Sequence, residues 1–289
     1  MVKINVMVSF PPPKAHFLIP LSSGRRLLLR KGHDWRDSYL QSIVLPLLKG
    51  IVPPGVEQIA SSKNAQAWKV RVEEGSFFVK FFKPRGIKDT LAFRSTRSRR
   101  AMQGDHLLSE HGFLTPTIIV QGDIVKRLRV FDNFIISQWI DDACTTYTYM
   151  RTFFVPPLSG EQLLKKRSII AAAGKLIGRL HQRGIFHGDL RPGNVLIRES
   201  DKGMLFFLID NERTKYFPSG IPFRLRIKNL VQICMIVMPQ VTFTDRLRFF
   251  KAYMEENPEL KPIAKRLIRK VFLKAKQRLA EKLPGIWER

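Results

Sequence analysis

The chain reads Gly184-Ile185-Phe186-His187-Gly188-Asp189-Leu190-Arg191-Pro192-Gly193-Asn194-Val195-Leu196-Ile197 where a polar loop gives way to an apolar run. A second apolar run, Leu205 to Ile209, follows and ends at Asp210. Two short apolar runs separated by turn residues predict a β-hairpin. Asp189, Asn194 and Asp210 then lie around the loop and the hairpin ends, where they can share one site.

This polar set has the composition that phosphoryl transfer requires. The reaction needs a carboxylate that orients and deprotonates an acceptor hydroxyl, and hard oxygen ligands that hold Mg²⁺ on nucleotide phosphates. Asp189 suits the first role, and Asn194 and Asp210 suit the second. Taken alone, Asp189 fits a helix or turn cap better. Its register with His187, Asn194 and Asp210 favours the catalytic interpretation.

A lysine stands inside an apolar segment upstream, which reads Phe77-Phe78-Val79-Lys80-Phe81-Phe82. Burying an ammonium group is unfavourable unless an anion offsets its charge, and a nucleotide phosphate is such an anion. We therefore predict that Lys80 binds nucleotide phosphates. The alternative is a lysine that extends its charged end to solvent from an edge strand.

Strand patterns precede helix patterns along the chain. Short alternating runs at 56–60, 67–72 and 76–82 predict an antiparallel meander, and 122–129 with 134–140 predict a further strand pair. Helical spacing predicts helices over 89–110 and 162–183. This order predicts an α+β fold with two lobes. The expected domains are an N-terminal extension (1–50), an antiparallel-sheet N-lobe (51–140) and a mainly helical C-lobe (141–289).

The composition limits the class of protein. The chain has 289 residues, with 50 Lys and Arg against 24 Asp and Glu, so its formal net charge of +26 favours acidic partners. A hydrophobic content of 44% excludes a disordered polycation. Cys144 and Cys234 occupy unrelated apolar segments, which favours a reducing compartment over a disulfide framework or structural zinc. We find neither a secretory leader nor an apolar run of roughly 18 to 20 residues, and we expect a cytoplasmic protein.

The motifs resemble the protein-kinase-like superfamily, whose His-x-Asp-x-x-x-x-Asn loop matches His187, Asp189 and Asn194. Its later metal-binding Asp and its strand Lys match Asp210 and Lys80. The resemblance implies that ATP and Mg²⁺ are cofactors and that His187 braces the loop. Arg191 replaces the usual loop Lys and is expected to donate to the transferring phosphate.

Among the branches of the superfamily, the loop looks most like the bacterial lipopolysaccharide kinase family, which phosphorylates heptose or Kdo sugars of the inner core. Residues 208–213, 226–230 and 244–253 share this likeness. The resemblance implies a kinase that acts on lipopolysaccharide core glycolipid at the cytoplasmic face of the inner membrane. An anionic membrane surface is then an expected partner, whereas no specific nucleic acid is expected and a protein partner is unknown.

The sequence departs from the kinase pattern at three points. Residues 61–65 carry no Gly-rich loop, and Asp210 is followed by Asn211-Glu212 where kinases have Phe-Gly. No helix Glu clearly matches the usual partner of the strand Lys. Asp105 and Glu110 are both candidates, and the sequence favours neither.

Two other functions remain open. A small-molecule kinase of the aminoglycoside or choline type shares His-Gly-Asp, although a +26 protein repels cationic substrates. A catalytically inactive kinase-like scaffold that binds polyanions is the other, and the presence of both Asp189 and Asp210 argues against it.

The last predicted helix is basic on one face and apolar on the other. Its apolar stripe comprises Ala264, Leu267, Ile268, Val271, Phe272, Ala275, Leu279 and Leu283. We expect the stripe to pack on the C-lobe and the cations to form a solvated face. The alternative is a helix that rests on anionic lipid or phosphorylated glycolipid.

Overall fold

A computed structural model describes residues 16–21, 25–32, 34, 36–48, 55–62, 65–73, 75–84, 86, 90, 95–127, 129–201, 203–236 and 238–282. The chain divides into two compact units. The first unit comprises Met1–Arg99 and Thr117–Trp139, and the second comprises Arg100–Pro116 and Ile140–Arg289.

The first unit is built on an antiparallel sheet. Within the described residues its seven strands are β1 (His16–Pro20), β2 (Arg26–Lys31), β3 (Val56–Ser62), β4 (Ala65–Val72), β5 (Gly75–Phe82), β6 (Ile118–Lys126) and β7 (Arg129–Gln138). They lie in the order β1-β2-β6-β7-β5-β4-β3. The predicted meander and the later strand pair are both present.

Strands β1 and β2 lie within the residues that the sequence places in an extension, and both belong to this same sheet. In β2 the side chains of Leu27 and Leu29 are buried in the apolar core, Arg26 is exposed, and Leu28 and Lys31 are partly buried. Arg30 is the exception, a buried charged side chain. This alternation lets β2 pair with β6 along its length, from Arg26 opposite Val125 to Lys31 opposite Val120. The reason is physical, because an uncovered β6 would leave its backbone groups unpaired.

A short helical segment completes the core of the first unit. It begins with a π-helical turn, Leu40–Val44, and continues as α1 (Leu45–Leu48). Ile43 and Val44 are buried in the same cluster as Val79, Phe134 and other strand residues.

Helix α2 (Arg97–Glu110) follows, and it is shorter than the helix predicted over 89–110. Asp89 and residues 91–94 lie outside the described residues. The described helix begins where the Thr96 hydroxyl accepts from the Arg99 backbone N–H at 3.3 Å, an N-terminal capping contact. It ends before Gly112, whose positive φ of 73° suits glycine and agrees with the predicted stop.

The second unit is mainly helical. Its elements are β8 (Cys144–Thr145), α3 (Thr146–Phe153), α4 (Gly160–Gln182), β9 (Ile185–Phe186), β10 (Val195–Ser200), β11 (Gly203–Leu208), β12 (Lys215–Tyr216), α5 (Phe223–Cys234), α6 (Phe243–Glu256) and α7 (Ala264–Lys282). Helix α4 begins with a capping box between Ser159 and Gln162. The predicted fold class, a mixed α and β chain with an antiparallel-sheet N-terminal part and a mainly helical C-terminal part, is confirmed.

The expected packing of the last helix is also confirmed. Leu267, Val271, Ala275 and Leu279 are buried in α7, whereas its Lys and Arg side chains are exposed in the part of the helix that is described. Leu283 lies outside the described residues. Among the described helices, none combines the length and the apolar character that crossing a bilayer requires.

Candidate active site

The β10–β11 hairpin brings Asn194 and Asp210 to one end. Its register runs from Val195 opposite Leu208 to Ser200 opposite Gly203. Beyond the last pair, the Ile209 backbone N–H donates to the Asn194 carbonyl at 3.1 Å. Asn194 and Asp210 therefore flank the open end of the hairpin, as the sequence predicts.

Asp189 lies in the loop between β9 and β10 and is held by two side chains. Arg191 Nε donates to Asp189 Oδ1 at 2.7 Å. Asn194 Nδ2 donates to the Asp189 backbone carbonyl at 2.8 Å and to Oδ2 at 3.3 Å. The Asp189 side chain is 18% exposed and that of Arg191 is 57% exposed. The carboxylate is thus fixed in orientation and still reachable from solvent.

These contacts also decide which atom of Asn194 can bind a ligand. Because Nδ2 donates to Asp189, the remaining polar atom of the side chain is Oδ1, which only accepts. An amide oxygen and the carboxylate of Asp210 are hard oxygen ligands of the kind that Mg²⁺ takes.

The donor set fits a magnesium ion that also binds substrate phosphates. Mg²⁺ is commonly held by one or two protein oxygens, with water and phosphate oxygens completing an octahedron. Within the described ranges, no group of three or more His, Cys, Asp and Glu side chains is placed to hold a metal ion. A site formed by Asn194 and Asp210 needs no such group.

His187 is buried and joins the loop to the end of β11. The Asp189 backbone N–H donates to His187 Nδ1 at 3.4 Å, so the proton is on Nε2, which lies 3.1 Å from the Ile209 carbonyl. Burial lowers the pKa of His187. A neutral imidazole therefore ties the loop to the strand that leads to Asp210, in agreement with the expected structural role.

Gly188 permits the loop to pass close to Arg213, three residues after Asp210. Its φ is +84°, a conformation that disfavours other residues. A Cβ at this position would lie 2.6 Å from both the Cβ and the carbonyl oxygen of Arg213.

Asp210 adopts a left-handed backbone conformation, with φ 63° and ψ 44°. Such a conformation costs about 1 kcal/mol or more for a residue with a Cβ, and it often marks a functional position. The following residue, Asn211, is buried and donates from Nδ2 to the Leu208 carbonyl at 3.0 Å and to Asp105 Oδ1 at 2.5 Å. These bonds fix the turn that contains Asp210.

Helix α2 supports the same turn. A Cβ on Gly104 would lie 2.2 Å from the Asn211 carbonyl oxygen, so the helix approaches this backbone as closely as glycine allows. Asp105, which the sequence considers as a partner of Lys80, accepts from Asn211. Glu110, the other candidate, lies 3.2 Å from His106 one turn away on the helix.

A buried hydrogen-bond chain that the sequence did not reveal begins at Arg226. Arg226 Nη1 donates to the Tyr253 hydroxyl at 2.8 Å, and that oxygen lies 2.9 Å from His181 Nδ1. Burial raises the pKa of Tyr253 to about 12, so the hydroxyl keeps the proton that it donates to His181. Burial, together with the nearby Arg226 charge, lowers the pKa of His181 to about 3.

This hydrogen-bond chain ends on the loop that carries Asp189. Neutral His181 donates from Nε2 to Asn229 Oδ1 at 3.2 Å, and the His187 backbone N–H donates to the same oxygen at 3.2 Å. Asn229 Nδ2 donates to Gln232 Oε1 at 3.0 Å, and Gln232 Nε2 donates to the Gly188 carbonyl at 3.1 Å. Asn229 and Gln232 therefore hold the backbone on which Asp189 is carried. The sequence singled out residues 226–230 and 244–253 only for their family likeness, and nothing in it indicated the contacts that Arg226, Asn229 and Tyr253 make.

In the first unit, Lys80 lies on β5 opposite Ala67 and Ile135. It is half-buried in the middle of the sheet and not on an edge strand. Its Nζ is 5.1 Å from the centroid of the Phe82 ring, and the Arg97 guanidinium is 4.7 Å from the same ring. Such cation–π contacts stabilise a partly desolvated charge.

A second feature that the sequence missed is a buried charged cluster at the start of α2. Asp123 accepts from Arg30 Nη1 at 2.8 Å and from Arg99 Nε at 2.7 Å, with further bonds from Gln121 and Thr96. Burial lowers the pKa of Arg30, the nearby Arg99 charge adds to this effect, and the contact with Asp123 opposes it. Arg97, over the Phe82 ring, and Arg99, bonded to Asp123, thus have structural roles.

Comparisons with known proteins identify the family and the fold. A model of the "Lipopolysaccharide kinase (Kdo/WaaP) family" matches residues 65–253, which is more than half of the chain. No curated protein sequence gave a match.

Three solved structures illustrate the structural relatives. A structure of WaaP in complex with acyl carrier protein is 18% identical, covers 86% of this chain and 98% of that chain, and has a TM-score of 0.62. The Rio2 kinase of Chaetomium thermophilum is 18% identical, covers 83% and 76%, and has a TM-score of 0.42. The maize SIRK1 kinase domain is 19% identical, covers 79% and 74%, and has a TM-score of 0.43. The first of these matches shows that the fold is shared.

Proposed function

The chain belongs to the lipopolysaccharide kinase (Kdo/WaaP) family, and from this premise we propose that it transfers the γ-phosphoryl group of ATP to a heptose or Kdo hydroxyl of the lipopolysaccharide inner core. One observation carries the proposal. Asp189 is oriented by Asn194, and Asn194 flanks the same hairpin end as Asp210. A base and two metal-binding oxygens are thereby collected at one place.

In this proposal Asp189 is the general base. Its carboxylate accepts the proton of the sugar hydroxyl as the hydroxyl oxygen attacks the γ-phosphorus in line with the leaving oxygen. Asn194 and Arg191 hold the carboxylate so that it need not reorganise during the reaction. The bond that forms is O–P to the sugar, and the bond that breaks is P–O to ADP.

Arg191 has a second role. It donates to Asp189 through Nε. Its terminal nitrogens make no hydrogen bond to other residues of the described part of the chain, and they offset negative charge on the transferring group.

Asn194 Oδ1 and the Asp210 carboxylate would hold Mg²⁺, and Lys80 would hold the nucleotide phosphates. The ion supplies positive charge that neutralises the phosphate oxygens during transfer. Bonds from Asn211 to Asp105 and Leu208 keep the Asp210 turn in place.

The acceptor and the location follow from charge and family together. A +26 protein attracts a phosphorylated, anionic glycolipid and repels cationic amino alcohols at long range. We place the enzyme at the cytoplasmic face of the inner membrane, bound peripherally. A small-molecule kinase and a non-catalytic scaffold are the outcomes that the following experiment would reveal.

The test is ATP turnover by the purified full chain with dephosphorylated lipopolysaccharide from defined core-truncation strains. Choline and an aminoglycoside serve as alternative acceptors. We compare Asp189→Asn with Asp201→Asn, a matched change at the exposed turn that closes the other end of the same hairpin.

We expect Asp189→Asn to lower kcat about 10²- to 10⁴-fold with MgATP binding retained, and Asp201→Asn to leave kcat unchanged. Full activity of Asp189→Asn would contradict the mechanism. Turnover with choline or the aminoglycoside alone would show that the protein is a small-molecule kinase. Failure to bind MgATP would indicate a non-catalytic scaffold.

A further inference from the structure

Two helices of the second unit, α6 and α7, expose large apolar side chains. Phe243 and Leu247 of α6 are 62% and 40% exposed, and Leu273 of α7 is 60% exposed. Phe243 and Leu247 are one turn apart on α6 and so are neighbours on its surface. The Phe243 ring lies 5.6 Å from the ring of Phe272, the residue before Leu273. Single exposed apolar residues are ordinary, but Leu247 adjoins Phe243 on α6, and Phe243 contacts α7 at the residue next to Leu273.

The same surface is densely cationic. Helix α7 contains eight Lys and Arg residues and one acidic residue, Glu281. Arg269, Lys270 and Lys276 are three or four positions from Leu273 and therefore surround it on the helix surface. All three are exposed. We call the surface formed by Phe243, Leu247, Leu273 and the exposed cations of α7 the α6–α7 face.

The apolar stripe of α7 does not take part in this face. Leu267, Val271 and Ala275 are buried in the core of the second unit. A helix that inserted its apolar stripe into lipid would have to leave that core. The exposed surface therefore offers cations and three large apolar side chains, without a continuous apolar stripe.

This combination identifies the class of partner. Phosphate groups of nucleic acid are contacted by cations and polar groups, and exposed Phe and Leu side chains gain little there. A bilayer that contains anionic lipid offers both negative charge and an apolar layer just below the headgroups. We propose that the α6–α7 face rests on an anionic bilayer, with Phe243, Leu247 and Leu273 reaching the headgroup boundary. The assignment of that bilayer to the membrane that carries the acceptor rests on the proposed function.

The number of cations and apolar side chains removed sets the expected loss of vesicle binding. Each cation near an anionic surface contributes about fivefold to partitioning, so removal of three lowers it about 100-fold. Loss of one large apolar contact lowers it about tenfold. Because the contact is shallow and largely ionic, raising the salt concentration from 0.1 M to 0.5 M should release the protein.

The test is sedimentation of the full chain with vesicles of phosphatidylcholine containing 0% or about 30% phosphatidylglycerol, without ATP. The cation variant is Lys265→Gln, Arg266→Gln and Arg269→Gln, all at exposed positions of α7. Its control is Arg179→Gln, Arg198→Gln and Lys215→Gln, which makes the same change in net charge on other elements. Glutamine preserves helix propensity.

The apolar variant is Leu273→Ser, and its control is Ile59→Ser, which removes an apolar side chain that is 43% exposed on β3. Circular dichroism and thermal unfolding confirm that each variant is folded. Binding of a duplex DNA oligonucleotide is measured in parallel.

We expect the cation variant to bind anionic vesicles about 100-fold less and Leu273→Ser about tenfold less, with little change in either control. Leu273→Ser should not alter DNA binding. Equal losses in the two triple variants would overturn the proposal, because binding would then follow total charge. Unchanged vesicle binding of Leu273→Ser, or a parallel loss of DNA binding, would also overturn it. ATP turnover with soluble core oligosaccharide is independent of these outcomes, so a failed kinase assignment remains distinguishable.

Discussion

Replacement of Asn229 tests whether helix α5 positions the loop that carries Asp189, the proposed base. Asn229→Ala removes an oxygen that accepts from His181 Nε2 and from the His187 backbone N–H, each at 3.2 Å. It also removes the N–H group that donates to Gln232 at 3.0 Å. The side chain is fully buried, so water cannot replace these partners without a rearrangement.

The size of the loss follows from the groups left unpaired. A buried donor without a partner costs about 1–3 kcal/mol, and two such donors remain. We expect unfolding free energy to fall by about 3 kcal/mol and Tm to fall by roughly 10 °C. Gln232 also loses its anchor, so the Gly188 carbonyl becomes less well held and Asp189 with it. We expect kcat to fall more than the KM for either substrate changes.

The assay combines thermal unfolding with steady-state kinetics on dephosphorylated lipopolysaccharide. Asn229→Asp keeps an acceptor for both donors but still lacks the N–H group that holds Gln232, so it should recover more of the Tm than of kcat. Arg224→Ala, an exposed change on the same helix, should alter neither quantity. If Asn229→Ala retained wild-type Tm and kcat, the positioning role of this hydrogen-bond chain would be refuted.

Three further changes have defined outcomes. Gly104→Ala places a Cβ 2.2 Å from the Asn211 carbonyl oxygen, so we expect a lower Tm by thermal unfolding and a lower kcat, and neutrality in both would contradict the close packing. Lys166 and Asp245 form a buried ion pair at 2.6 Å, and Lys166→Met should destabilise the fold by about 3–5 kcal/mol in urea, while a loss below 1 kcal/mol would rule out a strong pair. Burial holds the pKa of His181 at about 3, below its ordinary 6.5, so its contribution to stability is complete above pH 6.5 and is lost as the pH falls. Unfolding free energy should therefore fall by about 2 kcal/mol from this group between pH 6.5 and 5, and His181→Gln should show a correspondingly flatter pH dependence in urea titrations.

The stability that the Lys166–Asp245 ion pair contributes is also lost as the pH falls, but at a lower pH than the contribution of His181. Burial by itself raises the pKa of Asp245, but bonds from Lys166 and Thr242 outweigh burial and leave the pKa below 3.8. A carboxyl group with a lowered pKa stabilises the fold above its unfolded pKa and loses this effect as the pH falls further. Acid loss of this pair is thus expected below about pH 4, separate from the loss due to His181.

Much of the fold was predictable because it depends on local periodicity. The alternation of apolar residues from 56 to 82 gave the meander, and helical spacing gave α4 and the buried stripe of α7. The β10–β11 hairpin follows from two short apolar runs, and its register places Asn194 and Asp210 at one end. The sheet strands β1 and β2 were not predicted. Strand β2 is identified by its pairing with β6, which lies about 90 residues later in the sequence, and local periodicity does not reveal such a pairing.

The candidate site was predictable in its polar residues but not in their support. The sequence indicated Asp189, Asn194 and Asp210, since one loop and the hairpin that follows it carry all three. It did not indicate that Arg191 binds the Asp189 carboxylate directly. It also left the role of Asp105 undecided. In the structure Asp105 accepts a hydrogen bond from Asn211 and so supports the turn that contains Asp210.

The sequence by itself indicated the proposed class of chemistry, because the proposed base, the proposed metal ligands and the hairpin are encoded within 27 residues, from 184 to 210. Only the tertiary structure decided what holds them. The loop depends on Asn229 and Tyr253, the Asp210 turn on a helix about 100 residues earlier, and the start of that helix on Arg30 and Asp123. Contacts across such separations depend on which buried polar groups meet when apolar surfaces pack, and periodicity carries no information about that pairing.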